Sequence, residues 1–450
     1  MEYKTRREKM RLFGTDGIRF VYSSEKNSVA YSLGRTLSEI SPKESPLVVI
    51  GRDTRESGND LLSALVSGIA DGGGTPVNIG ILPTNAVAYF VRRTGADWGV
   101  MISASHNAPE YNGLKVFDGR GFKIDERTAF VIEKLMSRQE YFAAPSVSVK
   151  EVGNADEIYI ERLAATAGRL DGLKVLIDCA FGSAGKVAEK VFSLCGASVS
   201  AVNDFLCGSR INVGCGAAFP SSGRNLPLKD YDLTFLYDGD ADRLAVYEGE
   251  KYIEGERLFY IFAKYLQKKG ELGGKTAGTV LTNGGLERAL NEIGITLCRS
   301  RVGDGNVHKL MRRAGCVFGG ESSGHFLLFK LAPTCDAIAN SLFLGKIYLE
   351  KGSFSDYSED YRPFPSRSLN LGTDNLREGA AEKLSERARE LFPDIKTVIR
   401  ESGTEPLLRI YAESEVLSEE ELENACRILS DTAKEELCAE YSDTRAEKTL

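Results

Sequence analysis

The sequence predicts an α/β fold made of three α/β units of comparable size and a smaller α+β unit at the C-terminal end. Three observations carry that expectation. Short apolar runs at 47–50, 174–178 and 234–237 stop abruptly at loops rich in Gly, Ser and Asp, as buried strands do where an open sheet delivers its loops. Between them lie stretches with apolar residues at helical spacing, and this alternation builds βαβ units around mostly parallel sheets. The 450 residues allow several domains at about 150 residues each.

In order, the first unit (1–150) opens on a Gly-flanked turn carrying Asp16 and Arg19, which fits either a solvated turn or a guanidinium aimed at an anion. The strand 47–50 leads into Gly51-Arg-Asp-Thr-Arg55. A helix over 59–70 follows, ended by Gly72-Gly-Gly-Thr-Pro76, then a strand at 77–79 and a helix near 84–92. The run 98–102 ends in Ser103-Ala-Ser-His-Asn107, which puts Ser103, Ser105 and His106 on a strand-end loop, with Lys115 on the next apolar run. Periodicity is lost over 140–157, a boundary.

The second unit (151–250) has the strand 174–178 and a helix over 186–195. Gly182 to Lys186 lacks the first glycine of a P-loop and marks a helix start. The strand 234–237 delivers Asp238-Gly-Asp-Ala-Asp-Arg243. In the third unit (251–363) come a helix (256–268), a strand (279–281), a helix (286–293), Val302-Gly-Asp304, and a run from Cys316 to Phe318 entering Gly319-Gly-Glu-Ser-Ser-Gly-His325. Arg362-Pro-Phe-Pro365 is a linker. The last unit (364–450) carries the strand 397–400, the loop Glu401-Ser-Gly-Thr-Glu-Pro406 and the strand 408–411. Ser418 and Glu421 form a capping box before an amphipathic helix with Leu422, Ala425, Leu429 and Ala433 on one face. Residues after 440 fray.

Composition narrows the function. A net charge of −7 gives no general attraction to nucleic acid or an anionic membrane, so an anionic substrate needs a local basic cluster. No run approaches 18 apolar residues, and the charged N-terminus has no apolar core of a secretory signal. Nine cysteines, an odd number without a C-x-x-C pair, fit reduced thiols in a cytoplasmic protein better than disulfides or zinc.

Four loops bear chemistry. Ser105, His106 and Lys115 can supply a nucleophile, a proton carrier and a phosphate counter-charge. Asp238, Asp240 and Asp242 alternate at spacing two, and on an extended backbone would share a face. Three clustered carboxylates repel unless a hard cation such as magnesium or calcium binds. An EF-hand is excluded, because Arg243 stands where its glycine belongs; that arginine can hold a phosphate beside the metal. Glu321 and Ser323 suit sugar hydroxyls. Arg400, Ser402, Gly403, Thr404 and Arg409 combine two guanidiniums with hydroxyl and backbone donors, a set suited to a phosphate dianion. Each loop alone also fits a surface turn. Their sum predicts phosphoryl transfer on a phosphorylated polyol, in a cleft where the units meet.

The ordered stretches FGTDGIR, ISASHN, DGDADR, GGESSGH and RESGTEPLLR resemble the α-D-phosphohexomutase superfamily across nearly the whole chain. The resemblance implies a heart-shaped four-domain architecture, with three related α/β domains and a C-terminal domain of the TATA-binding-protein-like class. It implies that Ser105 carries the phosphoryl group, and that Asp238, Asp240 and Asp242 hold one magnesium ion together with a phosphoserine oxygen. Arg19, His106, Lys115 and Arg243 then surround the reacting phosphoryl group, with His106 and Lys115 as proton carriers. Glu321, Ser323 and Asp304 bind the sugar, and Arg400, Ser402, Gly403, Thr404 and Arg409 clamp the non-transferring phosphate. The implied reaction interconverts hexose 6-phosphate and hexose 1-phosphate through a bisphosphorylated hexose, which also serves as primer, in a monomer or homodimer. The phosphate clamp, placed on a small separate unit after the Pro linker, predicts in addition that this unit closes on substrate by hinge motion.

Asn212-Val-Gly-Cys-Gly216, Val302-Gly-Asp304 and GGESSGH are most similar to the phosphoglucosamine mutases, while a broad phosphomannomutase/phosphoglucomutase is the alternative. Ser322 replaces a usual Gln, Gly305-Asn306 an Arg-Tyr, Phe20 a Gly and Asn85 a Pro. An aspartyl phosphatase would want Thr or Val at 242 and leaves Ser105 unused. A silent sugar-phosphate-binding paralogue would have lost Ser105 or a metal acid.

Overall fold

The computed structural model describes residues 12–14, 16–138, 149–372, 379–401 and 407–437. The first sheet contains β1 (Phe13–Gly14), β2 (Gly17–Val21), β3 (Leu47–Arg52), β4 (Thr75–Ile81), β5 (Trp98–Ile102), β6 (Tyr111–Asp118) and β7 (Lys150–Glu151), in the order β1-β2-β6-β5-β3-β4-β7. The second contains β8 (Lys174–Asp178), β9 (Ser198–Val202), β10 (Leu233–Tyr237), β11 (Leu244–Glu248) and β12 (Lys251–Ile253), in the order β12-β11-β10-β8-β9. The third contains β13 (Lys275–Thr279), β14 (Thr296–Ser300), β15 (Phe318–Gly320) and β16 (Phe326–Leu328), in the order β14-β13-β15-β16.

These three sheets repeat one plan. Three parallel strands (β4-β3-β5, β9-β8-β10, β14-β13-β15) are extended by one antiparallel strand (β6, β11, β16). The loop joining the last parallel strand to the antiparallel one carries Ser105 in the first sheet, Asp238–Asp242 in the second and Glu321–His325 in the third. The α/β repetition expected from the sequence is therefore present, and the three chemistry-bearing loops occupy one topological position. The inner parallel strands of the first two sheets, β3, β5, β8 and β10, are largely apolar and buried on both faces because both are covered. On one face of the first sheet Val48, Ile50, Val100 and Ile102 pack with Leu33 and Leu37 of helix Asn27–Glu39 and with Leu61, Leu65 and Ile69 of helix Gly58–Asp71. Helix Thr84–Thr94 approaches closely because Gly51 and Gly99 carry no side chain: a Cβ there would stand 2.7 and 2.8 Å from Val87.

The described chain divides into two compact units, Met1–Thr279 with Ile293–Glu359, and Val280–Glu292 with Asp360–Leu450. The second unit holds an antiparallel sheet of β17 (Ser366–Gly372), β18 (Lys396–Glu401) and β19 (Leu407–Glu413), with β19 central, backed by helices Ala380–Leu391 and Glu419–Leu437. Leu422, Ala425, Leu429 and Ala433 are all buried, and Ser418 and Glu421 make the reciprocal bonds of a capping box. The segment 280–292 joins this unit through Glu413, which accepts from Gly284 N at 3.1 Å and from Lys396 at 2.7 Å.

Several expectations shift. The strand expected at 279–281 lies at Lys275–Thr279, because the small Thr276, Ala277 and Gly278 line a crowded centre: a Cβ on Gly319 would stand 2.7 Å from Ala277 O. The run at 316–318 becomes a strand only from Phe318. The helix over 186–195 splits into a 3-10 turn, Ser183–Lys186, and helix Ala188–Leu194. Much of the boundary at 140–157 and all of the tail after 440 lie outside the described residues.

Candidate active site

Ser105 stands at the end of β5 with φ +52° and no exposed surface. Its Oγ donates to Asp238 Oδ2 at 2.6 Å, and Asp242 Oδ1 lies at 3.4 Å. The loop is gripped from within by Arg55, a fully buried side chain. Its guanidinium donates to the carbonyls of Ser105 (2.9 Å), Asn107 (2.7 Å), Ala108 and Tyr111 (2.8 Å), and to Asp53 at 3.0 Å. Asp53 also accepts from Ser103 Oγ at 2.7 Å, and that hydroxyl accepts Ser105 N at 2.8 Å. Burial pushes the Asp53 carboxyl up, and Arg55 only partly offsets it. Asn212 Nδ2 adds a bond of 2.8 Å to the Ser105 carbonyl.

Asp238, Asp240 and Asp242 are buried, and each offers an oxygen within 4.8 Å of the others. They do not share the face of an extended strand. The backbone turns through Asp238–Asp242 with Ala241 at φ +55°, and Asp238 Oδ1 accepts the amides of Asp242 and Arg243 at 3.1 Å. The turn makes the acids converge. Burial, with Asp242 and Asp240 alongside, pushes the Asp238 carboxyl up to about 7. Burial also opposes the charge of Asp242, but Lys115 and His325 hold its carboxyl well below the usual range. Asp240 Oδ1 is buried with no hydrogen-bond partner among the described residues. Three oxygen-bearing acids with an orphaned carboxylate oxygen fit a hard divalent cation.

The positive groups interlock with these acids. Lys115 Nζ lies 2.7 Å from both Asp240 and Asp242 and 3.1 Å from Asp16. Burial opposes its charge, yet these three carboxylates raise its pKa above the usual lysine range. Arg19 donates to Asp16 at 2.6 Å and to Asn107 at 2.7 Å. Burial, Arg243 and Arg19 push the His106 imidazole down to about 2, so it is neutral, and its Nδ1 is buried without a partner among the described residues. The same holds for Nε of Arg243.

The third-sheet loop reaches the same centre through His325, whose Nε2 is 3.2 Å from Asp242, with Ser323 and Glu321 at 3.3 and 3.5 Å from Nδ1. Burial and Arg243 oppose charging of His325, but Asp242 and Glu321 raise it to about 9. Glu321 also accepts Gly303 N at 2.9 Å. Asp304, at the start of helix Asp304–Ala314, pairs with Lys123 at 2.5 Å, and Lys123 pairs with Asp16 at 2.5 Å.

In the second unit Arg400 and Arg409 face each other across β18 and β19 in direct register. Ser402, Gly403 and Thr404 lie outside the described residues.

The structure thus brings Ser105, Lys115, Asp238, Asp240 and Asp242 into direct contact, and Arg19, Asp304 and Glu321 into one network with them. Asp16, Asp53, Arg55, Lys123 and His325 were missed as site residues. Asp53 and Arg55 had a visible signal, a charged cluster immediately after a buried strand.

Residues 10–142 match the phosphoglucomutase/phosphomannomutase alpha/beta/alpha domain I, residues 254–364 match domain III, and residues 371–429 match the C-terminal domain. The phosphoglucosamine mutase of Dictyoglomus thermophilum is 38% identical, over 91% of this chain and 93% of its own length. That of Clostridium acetobutylicum is 37% identical, over 90% and 95%. A phosphoglucomutase/phosphomannomutase family protein from Burkholderia thailandensis shares the fold, with a TM-score of 0.80 at 24% identity, over 95% of this chain and 98% of that one. No helix among the described residues is long and apolar enough to cross a membrane. With three family domains in order and relatives this similar over nine-tenths of its length, the chain belongs to the phosphoglucomutase/phosphomannomutase family of hexose-phosphate mutases, which are isomerases.

Proposed function

We propose that the chain interconverts glucosamine 6-phosphate and glucosamine 1-phosphate by way of a phosphorylated Ser105. The observation that carries the proposal is the Ser105 hydroxyl, held on a strained loop 2.6 Å from one of three converging carboxylates. In the first half-reaction a sugar hydroxyl attacks phosphoserine 105. The bond from phosphorus to Oγ breaks, a bond to the sugar oxygen forms, and the hydroxyl proton leaves to a base. In the second half-reaction Ser105 Oγ gives its proton to a base and attacks the other phosphoryl group of the bisphosphorylated sugar; the bond from phosphorus to the sugar oxygen breaks, and that oxygen takes up a proton. His106 and Lys115 are the proton carriers of this proposal: the imidazole, pushed down to about 2 by burial, Arg243 and Arg19, becomes a useful base once a phosphoryl dianion offsets those guanidiniums, and the Lys115 ammonium balances charge. Arg19 and Arg243 offset charge on the transferring group.

Asp238, Asp240 and Asp242 would hold magnesium, with a phosphoserine oxygen joining them. When bound, that ion supplies positive charge beside the transferring phosphoryl group. Glu321, Ser323 and Asp304 would bind the sugar, and Arg400, Ser402, Gly403, Thr404 and Arg409 the distal phosphate. A four-domain division at 1–150, 151–250, 251–363 and 364–450 belongs to the same proposal. It is supported by the four sheets, with the first two boundaries moved a few residues on: β7 (Lys150–Glu151) crosses the first, and β12 (Lys251–Ile253), just beyond the second, still pairs with β11 of the second sheet.

The glucosamine assignment draws on the names of the relatives and is tested by a substrate panel. Glucosamine 6-phosphate, glucose 1-phosphate and mannose 1-phosphate are each assayed with magnesium and a bisphosphorylated hexose primer. A clear kcat/KM preference for the amino sugar is expected. Comparable rates on glucose and mannose phosphates would replace it with a broad hexose mutase, the same residues keeping their roles.

A further inference from the structure

The loop of acids is braced from behind. Three successive carbonyls accept from three separate segments: Gly239 O from Ser183 N at 2.9 Å, Asp240 O from Thr84 N at 2.9 Å, and Ala241 O from Ala337 N at 3.1 Å. Each donor is the first residue of a helical segment, Ser183–Lys186, Thr84–Thr94 or Ala337–Lys351, where the N–H has no partner within its own helix. Thr84 reaches further, with Oγ1 donating to Asp240 Oδ2 at 2.5 Å.

Two of those helix starts are tied together by a buried polar network. Asn85 Nδ2 and Tyr159 OH both donate to Asp336 Oδ2 at 2.7 Å, and Asn85 Nδ2 lies 3.3 Å from the tyrosine oxygen. Thr334 Oγ1 donates to Asn85 Oδ1 at 3.2 Å, and Asp336 Oδ1 caps its own helix through Ala339 N at 2.9 Å. Asn85, Tyr159 and Asp336 are 1%, 0% and 2% exposed. None of the three touches the carboxylates. What they fix is where Thr84 N and Ala337 N stand, and so the path of a turn that holds three like charges together and keeps Ala241 left-handed. A turn under that repulsion opens if its supports loosen, and spread carboxylates bind a cation less tightly.

We propose that Asn85, Tyr159 and Asp336 are positioning residues for the 238–242 turn and set the affinity of its three carboxylates for a hard divalent cation; this rests on the metal reading above. The network also gives Asn85 its part: its side-chain amide joins helix Thr84–Thr94 to Asp336.

The test uses the full-length, dephosphorylated protein. Manganese binding is followed by water-proton relaxation with magnesium as competitor, and KM for the sugar phosphate is measured separately at saturating metal after priming with a bisphosphorylated hexose. Asn85→Leu is expected to weaken manganese binding by about tenfold. Tyr159→Phe, which removes one hydroxyl and is the variant to rely on if Asn85→Leu does not fold, is expected to weaken it by about threefold. KM at saturating metal should stay within about twofold in both. If the wild type binds manganese and the folded variants bind it equally well, losing only thermal stability, the network is structural and the positioning role is wrong while the metal reading stands. If the wild type itself binds no manganese, both are wrong.

Discussion

The Ser105 loop and the 238–242 turn occupy equivalent places in sheets of the same plan, yet they are held in opposite ways. Four carbonyls around Ser105 converge on one side chain, Arg55, which is locked in turn by Asp53. The carbonyls of the acidic turn are distributed over three helix starts, no one of which holds more than one of them. A loop that must place one oxygen for covalent chemistry is governed chiefly by one rigid fork, seconded by Asn212 at two of the same carbonyls, and a small displacement of it is costly. A turn that must keep three charges at a compromise spacing is held by several weak supports, each adjustable. Concentrated support should fail abruptly and distributed support by degrees.

The largest test removes the oxygen itself. Ser105→Ala should lower turnover by about 10⁴-fold or more while calorimetric binding of the sugar phosphate persists. Wild-type rates in that variant would dissolve the comparison, since the loop would then be no more than scaffold. Arg55→Lys comes next, because an ammonium cannot serve four carbonyls at once. We expect kcat to fall by about 100-fold, with KM changed by less than about threefold. Intact mass should report reduced phosphorylation of Ser105 on incubation with bisphosphorylated hexose. If kcat is retained and only the melting temperature drops, Arg55 is packing rather than positioning.

The smallest effect is a pH dependence confined to the acidic turn. Asp238 is pushed up to about 7 by burial and its acidic neighbours, and it must lose its proton to bind a cation. Apparent magnesium affinity should therefore weaken by about tenfold per pH unit below 7 and level off above it. Asp238→Asn should flatten the slope. A wild-type profile already flat between pH 5.5 and 8.5 would mean that Asp238 is ionised throughout.

What was legible in the sequence was the part encoded locally. Strand-end loops with unusual chemistry reveal themselves by composition, and Ser105, Lys115 and the three acids were found where the structure joins them. Their geometry was not legible in the same way. The acids converge because Ala241 adopts a left-handed turn, not because of strand alternation. Helix Ala337–Lys351 shows no amphipathic period because residues 337–345 are all buried. Arg55 and Asp53 look like a solvated turn until the fold brings residues fifty positions away against them. The six non-glycine residues with positive φ among those described were likewise invisible. Ser105, Ala180, Phe181, Asn203, Asn212 and Ala241 gather in one neighbourhood: Asn212 N bonds Ala180 O, Phe181 N bonds Asn203 O, and Asn212 Nδ2 bonds Ser105 O. Strain of about 1–3 kcal/mol at each of Ser105, Ala180, Phe181 and Ala241, and less at the two asparagines, is tolerated because the surrounding contacts over-determine the backbone.

One contact bears on how such a protein is made. Lys115 lies between Asp240 and Asp242 and already neutralises part of the repulsion that a metal would relieve. The turn therefore has a built-in stand-in charge. The acids converge against a charge that the chain itself carries, so bringing them together does not by itself require an ion.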